Sequence, residues 1–439
     1  MRVHRPMIRI SAALAITLAA LAGATRPASA QLPGVSAAAF GMGDNYTALA
    51  RGRSAAAWNP AGLAMPDNPS FSLGLVQLRG ELGIGPLTPA DFKEFAGMTI
   101  PAAKREEWLE TISEHGALLG TFGGELSVLT MNIGALGLQF STTVSGSFDV
   151  SPDVAELIFF GNAGRTGEPR NLSLDGSTVD LAATSTVALS YALPLRIILG
   201  PFPEQRFALG ATAKYIMGTA LISGRDAGSL FNDDPLEVDV SFPFVQTDLE
   251  QPDGNGTGFG LDVGAAWQGG PFSAGVMVRN IINTFAWNED AFWYRRGTAV
   301  FNTDSTTKDV ELVKVDENAP EEIRARVAEL VEEMTFKPSI AFGAAVRAGS
   351  LTIAADVRRQ LNDGLDMGPR THAGIGAELR LLPFLPIRAG ASSISGGHQI
   401  SAGVGLEFGI LNLGLGVAQR DDEFGTNSMG MFTLSFGGS

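Results

Sequence analysis

Charged residues of both signs recur at positions that would face one side of alternating segments: Lys214, Asp262, Arg279, Lys337, Asp356, Arg358, Glu378, Arg380, Arg388 and Glu407. Gathered in an enclosed space, they would pair and form a structural network, because a buried charge is stable only with a partner. A lining selective for ions or solutes is the other chemistry they could perform. Nucleophilic and metal chemistry finds less support. The chain has no cysteine, which removes disulfides, thiol catalysis and thiolate metal sites. Its 4 histidines, His4, His115, His372 and His398, are scattered. Asp253-Gly254-Asn255-Gly256 opens like a calcium loop but lacks the distal acidic ligand, so it reads as a turn. Gly256-Thr257-Gly258-Phe259-Gly260 has no following helix to hold a nucleotide. No serine sits in a nucleophile elbow. The expectation is a non-enzyme with no metal and no cofactor.

The elements that must position these charges are strands. Gly430, Phe432, Leu434 and Phe436 alternate with Met431, Thr433 and Ser435 almost at the chain's end. Leu351, Ile353, Ala355 and Val357 alternate with Thr352, Asp356 and Arg358. Ile375, Ala377 and Leu379 stand against Glu378 and Arg380, and Ile400, Ala402, Val404, Leu406 and Phe408 against Ser401, Gly403 and Glu407. Leu411, Leu413, Leu415 and Val417 complete the series with Asn412, Gly414 and Gly416 opposite. A strand between lipid and a lumen must alternate in this way, and only a closed barrel leaves no unpaired backbone in hydrocarbon. The fold class is therefore all-β: a transmembrane antiparallel up-and-down barrel of about fourteen strands, each about nine to eleven residues long. The 54 glycines and positive mean hydropathy fit such strands better than a soluble β-sandwich array.

The connections test this reading independently, since barrel turns are short on one side and loops long on the other. Starting from a first strand near 70–79, short turns fall at Met131–Gly134, Leu193–Arg206, Gln268–Pro271, Arg347–Ser350, Leu382–Leu385 and Gly409–Ile410. The intervening connections fall at 80–118, 148–180, 224–256, 288–334 and Leu361–Arg370, with tips near Ser395–Gly397 and Asp421–Thr426. Within the long ones, Thr88-Pro89 with Asp91 opens a helix backed by Phe92 and Phe95. Pro101–Ile112 presents Trp108, Leu109 and Ile112 on one side, and Ser151-Pro152 opens a helix bearing Val154, Leu157, Ile158 and Phe159. Pro320–Met334 places Ile323, Val327, Leu330, Val331 and Met334 at helical spacing. These faces would pack on the barrel rim or form a landing site for an apolar ligand.

Before the strands come Arg2, Arg5 and Arg9, an apolar run from Ile10 to Ala24, and Ala28-Ser29-Ala30. Residues 1–30 thus read as a signal peptide cleaved before Gln31. Its removal takes arginines and no acid, making the chain still more acidic than the −15 of the full sequence and arguing against nucleic acid as a partner.

Between leader and first strand, Ala37–Leu63 is rich in small residues and too irregular to span. It carries Gly41-Met42-Gly43, then Ser54-Ala55-Ala56-Ala57-Trp58-Asn59-Pro60-Ala61-Gly62-Leu63. Small residues suit packing inside a lumen, and Asn59-Pro60 marks a sharp turn. This stretch resembles the N-terminal plug of the FadL-type outer-membrane transporters, with Gly41 and Gly43 at its start and Asn59, Pro60 and Ala61 matching the motif. PorV-like and TraF-like relatives share the same signature. The resemblance implies a plug over 31–67 inside a barrel over 68–439, located in the outer membrane of a Gram-negative-type cell. It implies passive transport of small hydrophobic molecules, fatty-acid- or hydrocarbon-like. The alternative is a non-transporting barrel that serves as scaffold or attachment site for secreted proteins. The partners it implies are outer-membrane lipid and the insertion machinery, for which the closing strand Gly430, Phe432, Leu434 and Phe436 resembles the recognition signal. A hydrophobic ligand or secreted proteins would be added according to which function holds. No ligand-pocket residue carries over.

Overall fold

Alternation at period two, sustained over most of the chain, closes it into a barrel. A computed structural model describes residues 34, 36–161, 164–168, 171–196, 204–226, 230–233, 236–239, 244–301, 306–362, 364–365, 369–422 and 424–437. The expected leader, residues 1–30, lies outside the described residues. The barrel strands are β1 (Phe71–Gly85), β2 (Leu118–Ile133), β3 (Leu136–Val150), β4 (Thr178–Leu195) and β5 (Arg206–Arg225). They continue as β6 (Gly256–Gly269), β7 (Phe272–Asn283), β8 (Ser339–Ala348), β9 (Leu351–Gln360) and β10 (Thr371–Leu382). The series ends with β11 (Leu385–Ile394), β12 (Gly397–Phe408), β13 (Leu411–Asp422) and β14 (Gly425–Gly437). Each pairs antiparallel with its sequence neighbours, and β14 returns to β1 from Ser72↔Gly437 to Ile84↔Thr426, closing 14 strands with no free edge.

The connections follow the expected parity. Strands meet at Gly134-Ala135, Gly270-Pro271, Gly349-Ser350, Pro383-Phe384 and Gly409-Ile410 on one end, hereafter the inner end. Long loops lie at the other. Several strands run farther outward than a minimal span: β1 continues to Gly85, six residues past the expected limit of 79, because its outer half still pairs with β2 and β14.

Alternation sets the faces. Val417 is 64% exposed and Ile375 56%, whereas Ser435 and Asp262 are wholly buried. In β14, Phe432 is exposed while Met431, Thr433 and Ser435 are buried. An outward apolar belt with an inward polar lining is the arrangement a lipid-embedded barrel requires. Among the described residues no helix is long and apolar enough to cross a membrane.

Inside the barrel sits an irregular N-terminal segment with α1 (Ala37–Gly41) and α2 (Ala55–Trp58), and Asn59 capping a 3-10 turn over Pro60–Ala64. Outside lie α3 (Pro89–Glu94), α4 (Ala102–His115), α5 (Pro152–Phe160) and α6 (Glu321–Glu333). The apolar faces of α4 and α6 are the expected ones: Trp108, Leu109 and Ile112 are buried on α4, and Ile323, Val327 and Leu330 on α6. Helix α5 differs. It buries Ala155, which packs on the Trp108 cluster, and Glu156, whose carboxylate Arg165 holds at 2.9 Å, and leaves Ile158 exposed. The long connections at 224–256 and 288–334 contain strands of their own: Phe292–Phe301 pairs with Thr306–Lys314 and with Phe244–Thr247. Phe292 and Tyr294 alternate inward there, under α6.

Candidate functional site

The inner segment is held by wall groups that satisfy its backbone. Its coil-like stretches cannot pair with themselves, so each buried N–H and C=O needs a partner from the barrel. Asp356 Oδ2 on β9 accepts from the N–H groups of Tyr46 and Thr47, both at 2.9 Å. Ser392 donates to Gly43 O at 3.0 Å, Ser401 to Gly41 O at 3.2 Å, and Thr212 to Ala56 O at 3.3 Å. Arg279 donates to Ala57 O at 3.1 Å. Asn59 is 1% exposed. Its amide donates to Ala265 O at 3.0 Å and Thr47 O at 3.3 Å, while its Oδ1 accepts from Ala61 N.

Close approach explains the glycines of the inner wall. A Cβ on Gly403 would stand 2.9 Å from Gly41 Cα, one on Gly275 2.7 Å from Thr47 O, and one on Gly414 2.5 Å from Ala37 Cβ. Cβ atoms on Gly376 and Gly390 would meet Met42, and one on Gly210 would meet Pro60 and Ala61. Wall and segment are complementary through missing side chains.

The inward charges fall into three groups. At the inner end, Glu378 bridges Arg380 and Arg388, each at 2.7 Å, and Arg380 also reaches Glu407 at 2.8 Å. Midway, Lys214 pairs with Asp262 at 2.6 Å, both buried. There β7 bulges, Asn280 adopts φ +52°, and its N–H donates to Asp262 Oδ1 at 2.8 Å. In the third group, Arg279 and Arg358 lie 6.0 and 5.6 Å from the Trp58 ring centroid, while Asp356 serves the segment's backbone. Lys337 is different: it is half-buried in the extended stretch ahead of β8 and makes no ion pair among the described residues. The turn after α6 ends only at Pro338, so position 337 never enters the ladder.

Sequence reasoning missed several contacts in the outer half of the lumen, some to the segment and one within the wall. Arg79 pairs with Asp44 at 3.4 Å and lies over the Phe40 ring at 5.1 Å. His372 Nε2 lies 3.1 Å from Asn45 Oδ1. Arg420 joins Glu81 at 3.1 Å. Arg79 and Glu81 sit two apart on β1, and that inward period was the available signal.

A cavity flanks the segment, and apolar clusters stand farther out. Toward the inner end, a cavity of about 420 Å³ separates it from the wall, lined in part by Tyr46, Arg51, Arg53, Glu378, Arg388 and Glu407. Burial lowers the Arg51 pKa to about 10 and also lowers that of Arg53, and burial followed by Glu378 raises that of Tyr46. Toward the outside, Trp108 centres an aromatic cluster, with ring centroids of Phe92, Phe95 and Phe159 at 5.0, 5.9 and 5.9 Å. Phe92, Phe95, Phe159 and Phe160 are only partly buried there. A second, larger cluster gathers Phe285, Trp287, Phe292, Tyr294 and the buried face of α6.

A family profile described as "F plasmid transfer operon, TraF, protein" matches residues 99–357, more than half of the chain and a different stretch from the Asn59-Pro60-Ala61 motif. Among solved structures, a mutant of the TodX monoaromatic hydrocarbon channel is 12% identical, with 93% of this chain and 100% of that one covered at TM-score 0.50. The Ralstonia pickettii toluene transporter TbuX is 13% identical, with 92% and 98% covered at TM-score 0.47. A Pseudomonas aeruginosa FadL homologue is 12% identical, with 94% and 99% covered at TM-score 0.45. At such identities the likeness is one of fold. No curated protein matches. The chain belongs to this TraF family, and its 14-strand barrel shares the fold of the TodX channel.

Proposed function

We propose that the chain is an outer-membrane barrel that passes small hydrophobic molecules passively, with no catalytic step. The observation that carries this reading is the aromatic cluster at the outer mouth. Phe92, Phe95, Phe159 and Phe160 are partly buried around Trp108, beside the outer ends of β2 and β3. An apolar surface of this kind at a barrel mouth would concentrate fatty-acid-like or hydrocarbon molecules from dilute solution. Below it, the inner segment, joined to the barrel through the chain leading into β1, would act as the plug, held in the lumen by hydrogen bonds and van der Waals fit. The test is uptake of toluene and of a long-chain fatty acid into liposomes carrying the purified protein. Uptake should exceed that of empty liposomes and fall in Phe95→Asp and Phe159→Asp. Uptake no faster than through bare lipid would end the reading.

A second reading rests on a different observation. The wall glycines leave almost no room around Gly41, Met42 and Thr47. A lumen so filled suits a closed barrel that serves as attachment site for secreted proteins. Its signature would be co-purification of such a protein with a barrel that shows no uptake.

A further inference from the structure

The inner cavity holds more positive charge than its neighbours neutralise. Arg380 and Arg388 are matched by Glu378 and Glu407. Arg347 is matched by Asp67 at 3.1 Å. These are the charged groups that line it from β8, β10, β11 and β12 and from the end of the segment. Arg51 and Arg53 remain, and among the described residues no further acid lines the cavity. Arg51 spends its donors on the carbonyls of Ala50 and Pro66 and on Gln268, at 2.8, 3.1 and 3.3 Å, so its charge stays uncompensated. Among the described residues the Arg53 guanidinium has no acceptor: only its backbone N–H is engaged, by Ser72 at 2.9 Å. Tyr46 lines the same cavity, its hydroxyl without a partner among the described residues, while its ring is fixed edge-on to Trp58 at 6.1 Å.

A half-buried guanidinium and a phenol hydroxyl facing one cavity, with two excess positive charges behind them, form a donor set for an anion. We propose that this inner cavity binds a carboxylate, with Arg53 as its charge partner and Tyr46 as a hydroxyl donor. A volume of about 420 Å³ is on the scale of small-ligand pockets and admits a short organic acid or the carboxyl end of a peptide. The carboxylate, planar and able to accept from both donors, suits this set better than a neutral alcohol. The assignment does not depend on passage of apolar molecules, and its failure would leave that reading where it stands.

Calorimetric titration of the purified full chain in detergent tests it with four probes: hexanoate, hexanol, a tetra-alanine peptide with a free carboxyl end, and the same peptide amidated. At least one acid should bind, its neutral counterpart should not, and added salt should weaken the binding. Arg53→Gln should weaken binding about tenfold or more, Arg53→Lys less, and Tyr46→Phe least. Hexanoate binding alone assigns the site to free small acids; binding of the free-ended peptide alone assigns it to a polypeptide terminus. The proposal is overturned if neither acid binds, if hexanol binds as tightly as hexanoate, or if Arg53→Gln retains parental affinity. Because Arg53 has no side-chain partner to lose, the variant should fold, and heat-dependent gel mobility checks that. The comparison of each acid with its neutral counterpart on the parent decides the matter without any variant.

Discussion

Single side chains at the boundary between segment and barrel hold positions that the backbone alone leaves open. Asn59 is the plainest case, since it caps a 3-10 turn and donates to a carbonyl of β6. Asn59→Ala would strand buried carbonyls, at a cost of about 1–3 kcal/mol. The ladders of the barrel lie elsewhere and would stay intact. Limited proteolysis should therefore cut within residues 37–64 more readily in the variant, with an unchanged thermal transition of the barrel. Parental protection would mean that Asn59 does not anchor the segment. Asp91 offers a second test, outside the membrane. The Thr88 hydroxyl, then its backbone N–H, hold the Asp91 carboxyl below its usual pKa. A depressed folded-state pKa contributes stability above the unfolded value, near pH 4, and the contribution is lost as pH falls through the folded value. Amide exchange over 89–95, corrected for intrinsic rates, should thus speed up below about pH 4, and Asp91→Asn should abolish that dependence. Equal acid sensitivity in the Asn variant would exclude the capping box as the cause.

At the scale of elements, lipid-facing and lumen-facing positions should differ in their tolerance of charge. Val417 lies near the middle of β13 and is 64% exposed. Arginine there should cost about 2–4 kcal/mol near the bilayer midplane. Thr352 faces the inner cavity, so Thr352→Arg carries no lipid penalty. Folding titrations into vesicles that gave equal costs would refute the register. That register was legible because alternation is local: Leu351 to Val357 and Leu411 to Val417 declare their faces without reference to any other part of the chain. The inner turns were legible for the same reason. What the sequence hid depends on distant partners. The lumen-facing glycines were visible as a pattern, but their cause is the approach of Gly41, Met42 and Thr47 across several hundred residues of chain. Gly403 therefore offers no neutral control for an arginine scan, since any side chain there meets the segment. The outer hairpin at Phe292–Phe301 went unread because its alternation serves packing under α6 and not a lipid boundary. Arg53 was invisible for the opposite reason: its side chain has no partner among the described residues, and nothing local distinguishes an unpaired arginine from a paired one.

For the whole molecule, closure of the sheet and closure of the lumen are separate events. The sheet closes through β1 and β14, whose ladder involves no residue before Phe71. The lumen is filled by residues 36–65, which add polar contacts to the wall and no strand to the sheet. A chain lacking 36–65 should consequently still insert and resist heat as a barrel. Its lumen would lose the segment's backbone from contact with Asp356, Ser392, Ser401 and Arg279. Those groups are polar, so water would enter and satisfy them; an apolar cavity would instead stay dry. A continuous aqueous path should then appear, unless the outer clusters around Trp108 and α6 close the mouth by themselves. Planar-bilayer recordings separate the two. If the segment is the plug, the deletion should show discrete conductance steps where the parent shows none, and Asn59→Ala should show brief, infrequent ones. A deletion variant as silent as the parent would place the barrier in the outer clusters, and the segment would then be a brace for the wall, not its gate.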